Sequence, residues 1–292
     1  MYRGVKRVLF FLSDLQGGGA EKAVVKIVQG FVKRGIATEL LLLNKEGVYL
    51  GQIPSSCTVW AIGAGNLKFY PNYIRVLPKL VLFLWKNRPK VIVSNLTHLN
   101  VMALFAAWVT RISVPVIAVE HNNFSIVLQN TSKISPKFLP LLMRWLYPKA
   151  SSIIGVSQGV VDDLKRVLVF DSSKFRVIYN PIVDEDLLRK AEEPVHHSFF
   201  GEGKPPVILA VGRLHVAKDF STLLQAFALV RKEIDARLLI LGEGEKRQEL
   251  ETLAQDLGIA QDLDMPGFVQ NPYKYMKRAS LFVLSSQWEG LP

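Results

Sequence analysis

Cysteine is almost absent from this chain of 292 residues, and long apolar runs are few. Cys57 is the only cysteine, which excludes an internal disulfide framework and favours a reducing compartment. The apolar run nearest the N-terminus, VLFFL at residues 8–12, is shorter than the roughly 7 to 15 residues of a signal-peptide core. We interpret this run as a first β-strand and expect a globular, cytoplasmic protein.

Acidic residues are missing between Gly47 and Val119, although the chain carries a net charge of +11. Residues 1–185 hold 23 Lys and Arg against 10 Asp and Glu, and residues 186–292 hold 13 against 15. The cations of the acid-free stretch lie among aromatic and leucine side chains: Lys68, Arg75, Lys79, Lys86, Arg88, Lys90 and Arg111. This mixture is typical of contact with an anionic membrane surface. A solvated basic face is the alternative, and nucleic acid is disfavoured because no recognition motif accompanies the charge.

The most apolar stretch, residues 101–119, approaches the length of roughly 20 residues that a membrane-spanning helix needs. Arg111 and Pro115 interrupt it. We therefore predict a helix followed by a strand here, and peripheral rather than integral contact with the inner face of the cell membrane.

Apolar strand patterns and amphipathic helix patterns alternate along the chain, which predicts an α/β fold with parallel sheets. The composition changes at residues 181–206, an acidic segment that ends in glycines and two prolines, as an exposed connector would. We predict an N-terminal Rossmann-like domain over 1–182, a connector over 183–203 and a C-terminal Rossmann-like domain over 204–292. The last of these is short for a doubly wound domain.

Three consecutive glycines, Gly17, Gly18 and Gly19, stand between the first predicted strand and the first predicted helix. Free backbone N–H groups at such a helix start can meet an anion or a substrate hydroxyl, and a tightly packed turn is the alternative interpretation. The dinucleotide fingerprint G-x-G-x-x-G fails at Lys22, and the second strand ends in Asn44 and Lys45 rather than in an acid. A nicotinamide-dependent enzyme is therefore disfavoured.

Two cations follow the first strand of the second predicted domain. In GRLHVAKDF, Arg213 stands just past the strand and Lys218 five residues later. Arg as a planar fork and Lys as a point charge could hold a diphosphate, the group whose charge develops when a nucleotide sugar reacts. A surface loop with two solvated cations is the alternative.

Six stretches, in this order along the chain, resemble the retaining glycosyltransferases of family 4. They are GGGAEKAVVKIVQGFVKRG, IIGVSQGVVDDL with VIYNPI, VGRLHVAKDFSTLLQAF, LLILGEGEKRQELE, PGFVQNPYKYMKRASLFVLSS and WEGLP. The resemblance covers essentially the whole chain. It implies the GT-B fold, in which two Rossmann-like domains face one another across a cleft, with the second domain incomplete here.

The resemblance implies a role for each matching residue. Arg213 and Lys218 match the pair that binds the donor diphosphate, and Glu289 matches the first glutamate of the family's E-x7-E motif, which lies against the donor sugar. The expected donor-binding glycines and their neighbours are Gly17, Gly18, Gly19, Gly242, Gly244, Gly267, Phe268 and Val269.

A histidine after a strand of the first domain, His121, matches one that family members place near the sugar and the acceptor. We expect His121 and Glu289 to be the catalytic residues. His98, which also follows a strand, is the second choice, and Glu120 should point the other way if the strand continues through it. A single histidine is more often structural, and only the position of His121 and the resemblance favour catalysis.

The implied reaction moves a sugar from a nucleoside-diphosphate sugar to a lipid-linked or polysaccharide acceptor, with retention and by attack on the front face. A UDP-sugar is favoured over a GDP-sugar, and we expect neither a metal nor a further cofactor. The second glutamate of E-x7-E belongs eight positions after Glu289, beyond Pro292, so we expect a C-terminally truncated sequence. Two alternatives stay open: a non-catalytic nucleotide-binding remnant, and a nucleotide-sugar epimerase of the same architecture.

Overall fold

Strands and helices alternate along the chain, and they build two compact units. The computed structural model describes residues 7–63, 70–129, 138–170 and 173–291. Val183–Glu289 forms one unit, and the chain through Ile182 forms the other together with the segment from Gly290. Each unit is organised around a parallel sheet, so the predicted α/β class is confirmed.

The first unit has a sheet of seven parallel strands within its described residues, in the order β3-β2-β1-β4-β5-β6-β7. The strands are β1 (Val8–Leu12), β2 (Thr38–Leu42), β3 (Thr58–Ala61), β4 (Val91–Asn95), β5 (Val116–Glu120), β6 (Ser152–Gly155) and β7 (Phe175–Val177). The helices are α1 (Gly19–Lys33), α2 (Tyr70–Asn87), α3 (Thr97–Thr110), α4 (Phe124–Gln129), α5 (Leu139–Leu146) and α6 (Gln158–Leu168).

Both faces of this sheet are buried, because helices cover each of them. Along β1 the side chains of Leu9 and Phe11 enter one core cluster, and those of Phe10 and Leu12 enter another on the opposite face. Successive side chains of a strand point to opposite faces. A strand buried on both faces reads as a continuous apolar run, which explains why VLFFL contains no polar residue.

The second unit has a sheet of four parallel strands within the described chain, in the order β10-β9-β8-β11. The strands are β8 (Val207–Val211), β9 (Arg237–Leu241), β10 (Leu263–Gly267) and β11 (Leu281–Phe282). The helices are α7 (Glu185–Ala191), α8 (Phe220–Glu233), α9 (Arg247–Asp256) and α10 (Tyr273–Arg278). Along β9, Leu238 and Ile240 enter one core cluster and Leu239 and Leu241 the other.

Each sheet has a point at which the direction of winding reverses. In the first sheet the reversal lies between β1 and β4, and in the second it lies between β8 and β11. Open parallel sheets bind ligands beside the carboxyl ends of the strands at such a point. The loops that leave β1, β4, β8 and β11 are therefore the places to look for a site.

Two features differ from the sequence-based expectations. Residues 183–203, predicted as a connector, contain α7, and Val195 and Phe199 pack on the core of the second unit. The apolar run SLFVL, at residues 280–284, indicates a short buried strand, but β11 spans only Leu281–Phe282 and both of its side chains are exposed. β11 lies at the edge of the described sheet, where a strand has a neighbour on one side only.

The apolar stretch over residues 101–119 divides as predicted. α3 ends at Thr110, Arg111 follows in a left-handed conformation with φ of 51°, and β5 begins at Val116. In the part of the chain that the structure describes, no helix is both long enough and apolar enough to cross a bilayer.

Candidate active site

The turn between β1 and α1 holds the three predicted glycines. Gly17 has a φ of 126°, which favours glycine, and Gly18 is the residue at which α1 is capped. Gly19 faces open space, and a Cβ atom on Gly18 would meet only the flexible carboxylate of Glu21. Because that carboxylate lies against the start of α1, it opposes a bound anion there. A sugar hydroxyl, which can donate to a carboxylate, suits the turn better than a diphosphate does.

The ends of β4 and β5 bring Asn95 and His121 together. Nε2 of His121 lies 3.1 Å from Oδ1 of Asn95, while Nδ2 of Asn95 donates to the Val93 carbonyl. Since the amide oxygen of Asn95 can only accept, Nε2 of His121 carries the proton, and Nδ1 is left as an acceptor. That Nδ1 atom is buried and has no hydrogen-bond partner among the described residues.

Burial sets the charge of the histidines at this sheet edge. Burial lowers the pKa of His121 to about 4, and it lowers the pKa of His98 to about 4 as well. Both rings are therefore neutral at pH 7, because a low dielectric disfavours the charged imidazolium. A neutral His121 is suited to orienting a hydroxyl group by hydrogen bonding, whereas a pKa near 4 makes it a weak base.

Glu120 ends β5 and points into the core, away from the surface where the strand ends, as predicted. It is 1% exposed. Its carboxylate accepts hydrogen bonds from the hydroxyl of Thr97 at 2.7 Å, from the amide of Asn100 at 2.9 Å and from the hydroxyl of Tyr147. Burial raises the pKa of Glu120, and the three donors oppose that rise. The network joins the turn after β4 to the turn after β5.

Gly290 packs against the backbone of His121. A Cβ atom at this position would overlap the His121 carbonyl oxygen, so only glycine allows so close an approach. The hydroxyl of Ser157, which caps α6, donates to the Gly290 carbonyl. The segment that starts at Gly290 is thus fixed to the turns that follow β5 and β6.

In the second unit, the loop after β8 carries both predicted cations. Lys218 forms an ion pair with Glu289, and each side chain is 23% exposed. The hydroxyl of Ser286 donates to Glu289 at 2.7 Å, and the hydroxyl of Ser285 donates to the Lys218 carbonyl at 2.8 Å. β8 and β11 are neighbours at the reversal point of this sheet. Two residues that are distant in sequence therefore meet at the place where the topology favours a ligand.

Arg213 lies on the same loop and is far more open to solvent. Its side chain is 73% exposed, and its guanidinium lies 3.6 Å from the carboxylate of Glu245, which also lies 3.4 Å from Nε2 of His215. A pair this long and exposed contributes little stability. Arg213 is accordingly free to turn toward an anionic group.

The predicted glycines of this unit pack against that loop. A Cβ atom on Gly242 would overlap the carbonyl of Gly212, and one on Gly244 would overlap the carbonyl of Leu214. The amide of Gly242 donates to the Gly267 carbonyl at 2.8 Å, which brings the end of β10 to the same place. Among the neighbours of Gly267, the ring of Phe268 is exposed, whereas Val269 packs on the core. Phe268 is therefore the better candidate for contact with a ligand.

The expectation that the reaction needs no metal stays a prediction. Among the residues that the structure describes, no group of three or more His, Cys, Asp or Glu side chains is placed to hold a metal ion. Two Asp-x-Asp triplets occur, at Asp184–Asp186 and Asp262–Asp264. Asp186 pairs with Lys190 at 2.6 Å and Asp262 pairs with Arg231 at 2.8 Å, while the carboxylate of Asp184 caps the start of α7.

Three residues of these sites escaped the sequence analysis: Asn95, Glu21 and Gly290. Asn95 is a polar residue at the end of a buried strand, a signal that could have identified it. Glu21 lies three residues after the capping Gly18, the position from which an acid can return to a helix start. Gly290 gave no signal, because its contact with His121 arises only from the tertiary fold.

Comparison with protein families agrees with the resemblance found in the sequence. The family described as "Glycosyltransferase Family 4" matches residues 17–186, and the family described as "Glycosyl transferases group 1" matches residues 193–292. The first match alone covers more than half of the chain. The boundary between the two matches lies near the division between the two compact units at Ile182.

Individual proteins of known name or structure are similar over most of their length. The chain is 29% identical over 306 residues to the Campylobacter jejuni N-acetylgalactosamine-N,N'-diacetylbacillosaminyl-diphospho-undecaprenol 4-alpha-N-acetylgalactosaminyltransferase, covering 98% of this chain and 76% of that relative. Anabaena HepE in complex with UDP and glucose superimposes with a TM-score of 0.72 at 18% identity, over 97% of this chain and 74% of that one.

A second solved structure supports the same fold. Sucrose-phosphate synthase from Thermosynechococcus elongatus superimposes with a TM-score of 0.76 at 16% identity, over 98% of this chain and 77% of that one. At such identities the structural likeness establishes the fold, which is GT-B, and the family matches establish the membership. The chain belongs to glycosyltransferase family 4, and the protein is a glycosyltransferase.

Proposed function

We propose that the protein transfers a sugar, with retention of configuration, from a UDP-sugar to a lipid-linked or polysaccharide acceptor at the cytoplasmic face of the cell membrane. The observation that carries this proposal is the meeting of Lys218 and Glu289 at the reversal point of the second sheet, with Arg213 on the same loop. A diphosphate brings two negative charges, and two cations from one loop can neutralise them.

The chemical step in this proposal exchanges one bond at C1 of the sugar for another. The bond between C1 and the β-phosphate oxygen breaks, and a bond between C1 and the acceptor hydroxyl oxygen forms on the same face of the ring. The hydroxyl proton passes to a β-phosphate oxygen as UDP leaves. Lys218 and Arg213 would stabilise the charge that develops on the diphosphate, a contribution that is often the largest in such a reaction.

Residues of the first unit would serve the sugar and the acceptor. His121 is neutral, its Nε2–H group is engaged by Asn95, and its Nδ1 atom can accept a hydrogen bond from a hydroxyl group. The carboxylate of Glu21 can accept another at the start of α1. Because His121 has a pKa of about 4, we assign it to orienting a hydroxyl rather than to removing its proton. The leaving phosphate takes that proton.

The choice of a nucleotide sugar rests on the site, and the choice of UDP rests on relatives. The exposed ring of Phe268 follows β10 beside the loop that carries Arg213, where it could stack on a base. Anabaena HepE is named as a complex with UDP and glucose. The name of the Campylobacter relative contains diphospho-undecaprenol, and this supports a lipid-linked acceptor for the present protein.

A transfer assay tests the proposal. The purified protein would be incubated with UDP-glucose, UDP-galactose, their N-acetylamino forms and GDP-mannose, with and without a detergent-solubilised undecaprenyl-diphosphate saccharide, in the presence of EDTA. We expect acceptor-dependent release of UDP from one UDP-sugar and an α-linked product by NMR. An inverted product would refute retention, and interconversion of donor sugars without an acceptor would identify an epimerase. Binding of UDP without any turnover would indicate a non-catalytic protein.

A further inference from the structure

Three of the five tryptophans occupy the same place in successive crossover helices of the first unit. Trp85 lies in the last turn of α2, Trp108 in the last turn of α3 and Trp145 in the last turn of α5. These helices lead into β4, β5 and β6. All three indole rings therefore lie at the amino-terminal edge of the sheet, the edge opposite His121. We call this surface the tryptophan edge.

The rings of the tryptophan edge are unusually open to solvent. Trp85 is 54% exposed, Trp108 is 50% exposed and Trp145 is 43% exposed. Trp108 and Trp145 pack edge to face with their centroids 4.9 Å apart. Exposed leucines and a phenylalanine extend the surface along the same helices: Leu82, Phe138, Leu141 and Leu142. Contiguous exposed apolar surface of this kind marks an interaction site.

Basic side chains stand among these rings. Six exposed basic residues follow or adjoin the tryptophans: Lys86, Arg88, Lys90, Arg111, Arg144 and Lys149. None of the six forms an ion pair with any carboxylate in the described part of the chain. Lys149 lies instead over the ring of Trp145, 5.0 Å from its centroid. The surface thus combines interfacial aromatic residues with positive charge that no described carboxylate pairs.

A basin of about 370 Å³ opens in the tryptophan edge, where α2 and α3 turn into β4 and β5. It is lined by Trp85, Arg88, Lys90, Arg111 and Ser113, among others. Arg88 and Arg111 have φ angles of 42° and 51°. Helices commonly end at such a left-handed position with glycine, because the Cβ atom of any other residue makes this conformation unfavourable. Both arginines thus line one basin from the ends of two neighbouring helices.

We propose that the protein lies on an anionic bilayer through the tryptophan edge, with the indole rings at the level of the headgroups and the basin around one lipid phosphate. Indole rings favour the interface between water and lipid, because one end is apolar and the other can hydrogen-bond. Arginine and lysine bind the phosphate of an anionic headgroup. The proposal rests on these contacts and not on the proposed lipid-linked acceptor, because the tryptophan edge lies opposite the edge that carries His121.

A charge-matched pair of variants tests the basin. Arg88→Gln, Lys90→Gln and Arg111→Gln together remove three charges from it, whereas Lys45→Gln, Lys204→Gln and Lys232→Gln remove three exposed charges elsewhere. Binding to vesicles of phosphatidylcholine with 30% phosphatidylglycerol is measured by co-sedimentation. We expect the basin variant to bind roughly 100-fold more weakly, at about one decade or less per charge, and the control to bind much like the wild type. Equal losses in both variants would overturn the proposal.

The apolar part of the surface needs a separate variant. Trp85→Ser removes a ring that lines the basin. We expect it to weaken binding to vesicles with and without phosphatidylglycerol alike, whereas the basin variant should be weakened only on anionic vesicles. Binding of soluble glycerol phosphate or single-stranded RNA to the basin, without binding to vesicles, would overturn the proposal. Sugar transfer is assayed with a detergent-solubilised acceptor and therefore does not depend on vesicle binding. A wild-type protein that binds vesicles but transfers no sugar would refute the proposed function and leave the membrane surface standing.

Part of the basic stretch predicted from the sequence belongs to this surface, and part does not. Lys86, Arg88, Lys90 and Arg111 lie on the tryptophan edge. Lys68 lies outside the described residues. Lys79 donates hydrogen bonds to the carbonyls of Ile62 and Gly63. The sequence pattern therefore indicated the charge but could not indicate the edge on which it collects.

Discussion

The hydroxyl of Thr97, at the start of α3, donates a hydrogen bond of 2.7 Å to the carboxylate of Glu120, at the end of β5. This bond ties the start of α3, which carries His98, to the end of β5, which His121 follows. Asn100 and Tyr147 donate to the other carboxylate oxygen. The carboxylate is buried, so these donors replace the water that it would otherwise bind.

Replacing Glu120 with alanine should destabilise the first unit strongly. The change leaves the hydroxyl groups of Thr97 and Tyr147 without this acceptor, and the amide of Asn100 keeps only its hydrogen bond to the Val119 carbonyl. Each buried donor left unsatisfied costs about 1 to 3 kcal/mol. We expect the free energy of unfolding, measured with urea at pH 7, to fall by about 3 to 5 kcal/mol. Glu46→Ala, which removes an exposed carboxylate, is the control. A similar small loss in both variants would contradict the assigned network.

The same carboxyl group should make stability depend on pH. Because burial raises the pKa of Glu120, the folded protein keeps this proton at pH values where the unfolded chain, with an ordinary glutamate pKa near 4.3, has lost it. The bound proton therefore stabilises the folded state fully at pH values below about 4.3. This contribution to the free energy of unfolding is lost as the pH rises from about 4.3 through the raised pKa of Glu120. Glu120→Gln should abolish this contribution. Urea titrations of both proteins between pH 4 and pH 8 would measure the difference, and parallel curves would contradict it.

His98 and His121 should act in the opposite direction. Burial lowers the pKa of each ring to about 4, so between about pH 4 and 6.5 the unfolded chain binds more protons than the folded protein does. The contribution of these histidines to the free energy of unfolding is therefore fully present above about pH 6.5. It is lost as the pH falls, by up to about 1.4 kcal/mol per pH unit for each histidine. His121→Gln should remove the contribution of His121 to this dependence of the free energy of unfolding on pH. Direct titration of the two rings by NMR provides the check. A pKa near 6.5 for either ring would refute the predicted contribution of that histidine to the pH dependence of stability.

The sequence predicted most of the sheet, because buried parallel strands are continuous apolar runs. β1 was predicted with the bounds that the structure has, Val8–Leu12. The apolar runs VILAVG, at 207–212, and RLLILG, at 237–242, likewise match β8 and β9 to within one residue at their ends. β3 (Thr58–Ala61) and β7 (Phe175–Val177) were missed. Both lie at the edges of the first sheet, where a strand of three or four residues with few buried side chains has no distinctive pattern.

The candidate site was partly predictable for a similar reason. Strand ends placed His121, Arg213 and Lys218 at the carboxyl edges of their sheets, which the alternation of strands and helices alone suggests. The partner of Lys218 could not be derived from spacing, because its pairing with Glu289 depends on β11 lying beside β8. Likewise, nothing in the sequence indicated that three tryptophans at unrelated positions would share one edge.

Two glycines offer a matched test of backbone packing. A Cβ atom on Gly242, whose φ is 156°, would overlap the Gly212 carbonyl, whereas Gly19 faces open space near the start of α1. We expect Gly242→Ala to destabilise the second unit by roughly 2 to 4 kcal/mol, because the loop bearing Arg213 must move. Gly19→Ala should be neutral or should stabilise by up to about 1 kcal/mol, since alanine favours helix. Thermal unfolding of both variants is the measurement, and a tolerated Gly242→Ala would refute the close approach.

The loop cations should control catalysis to different degrees. Lys218→Ala removes a charge that Glu289 holds in place, and we expect kcat/KM to fall by roughly 10²- to 10³-fold, the range for loss of one group that stabilises developing charge. Lys218→Arg keeps the charge and should recover part of the rate. Arg213→Ala should lower kcat/KM as well, and Lys232→Ala, at an exposed site on α8, should not. An unchanged kcat/KM for both alanine variants at the loop would refute the diphosphate assignment.

Glu289 can be separated from Lys218 by combining their variants. If the carboxylate only positions the lysine, Glu289→Ala adds nothing once Lys218 is already alanine, and the effects of the two changes are not additive. If the carboxylate also touches the donor sugar, as the family resemblance implies, the double variant loses activity beyond either single one. Steady-state kinetics of the four proteins give the coupling directly. Because Ser286 also donates to Glu289 at 2.7 Å, Ser286→Ala should weaken the same coupling if positioning is the main role.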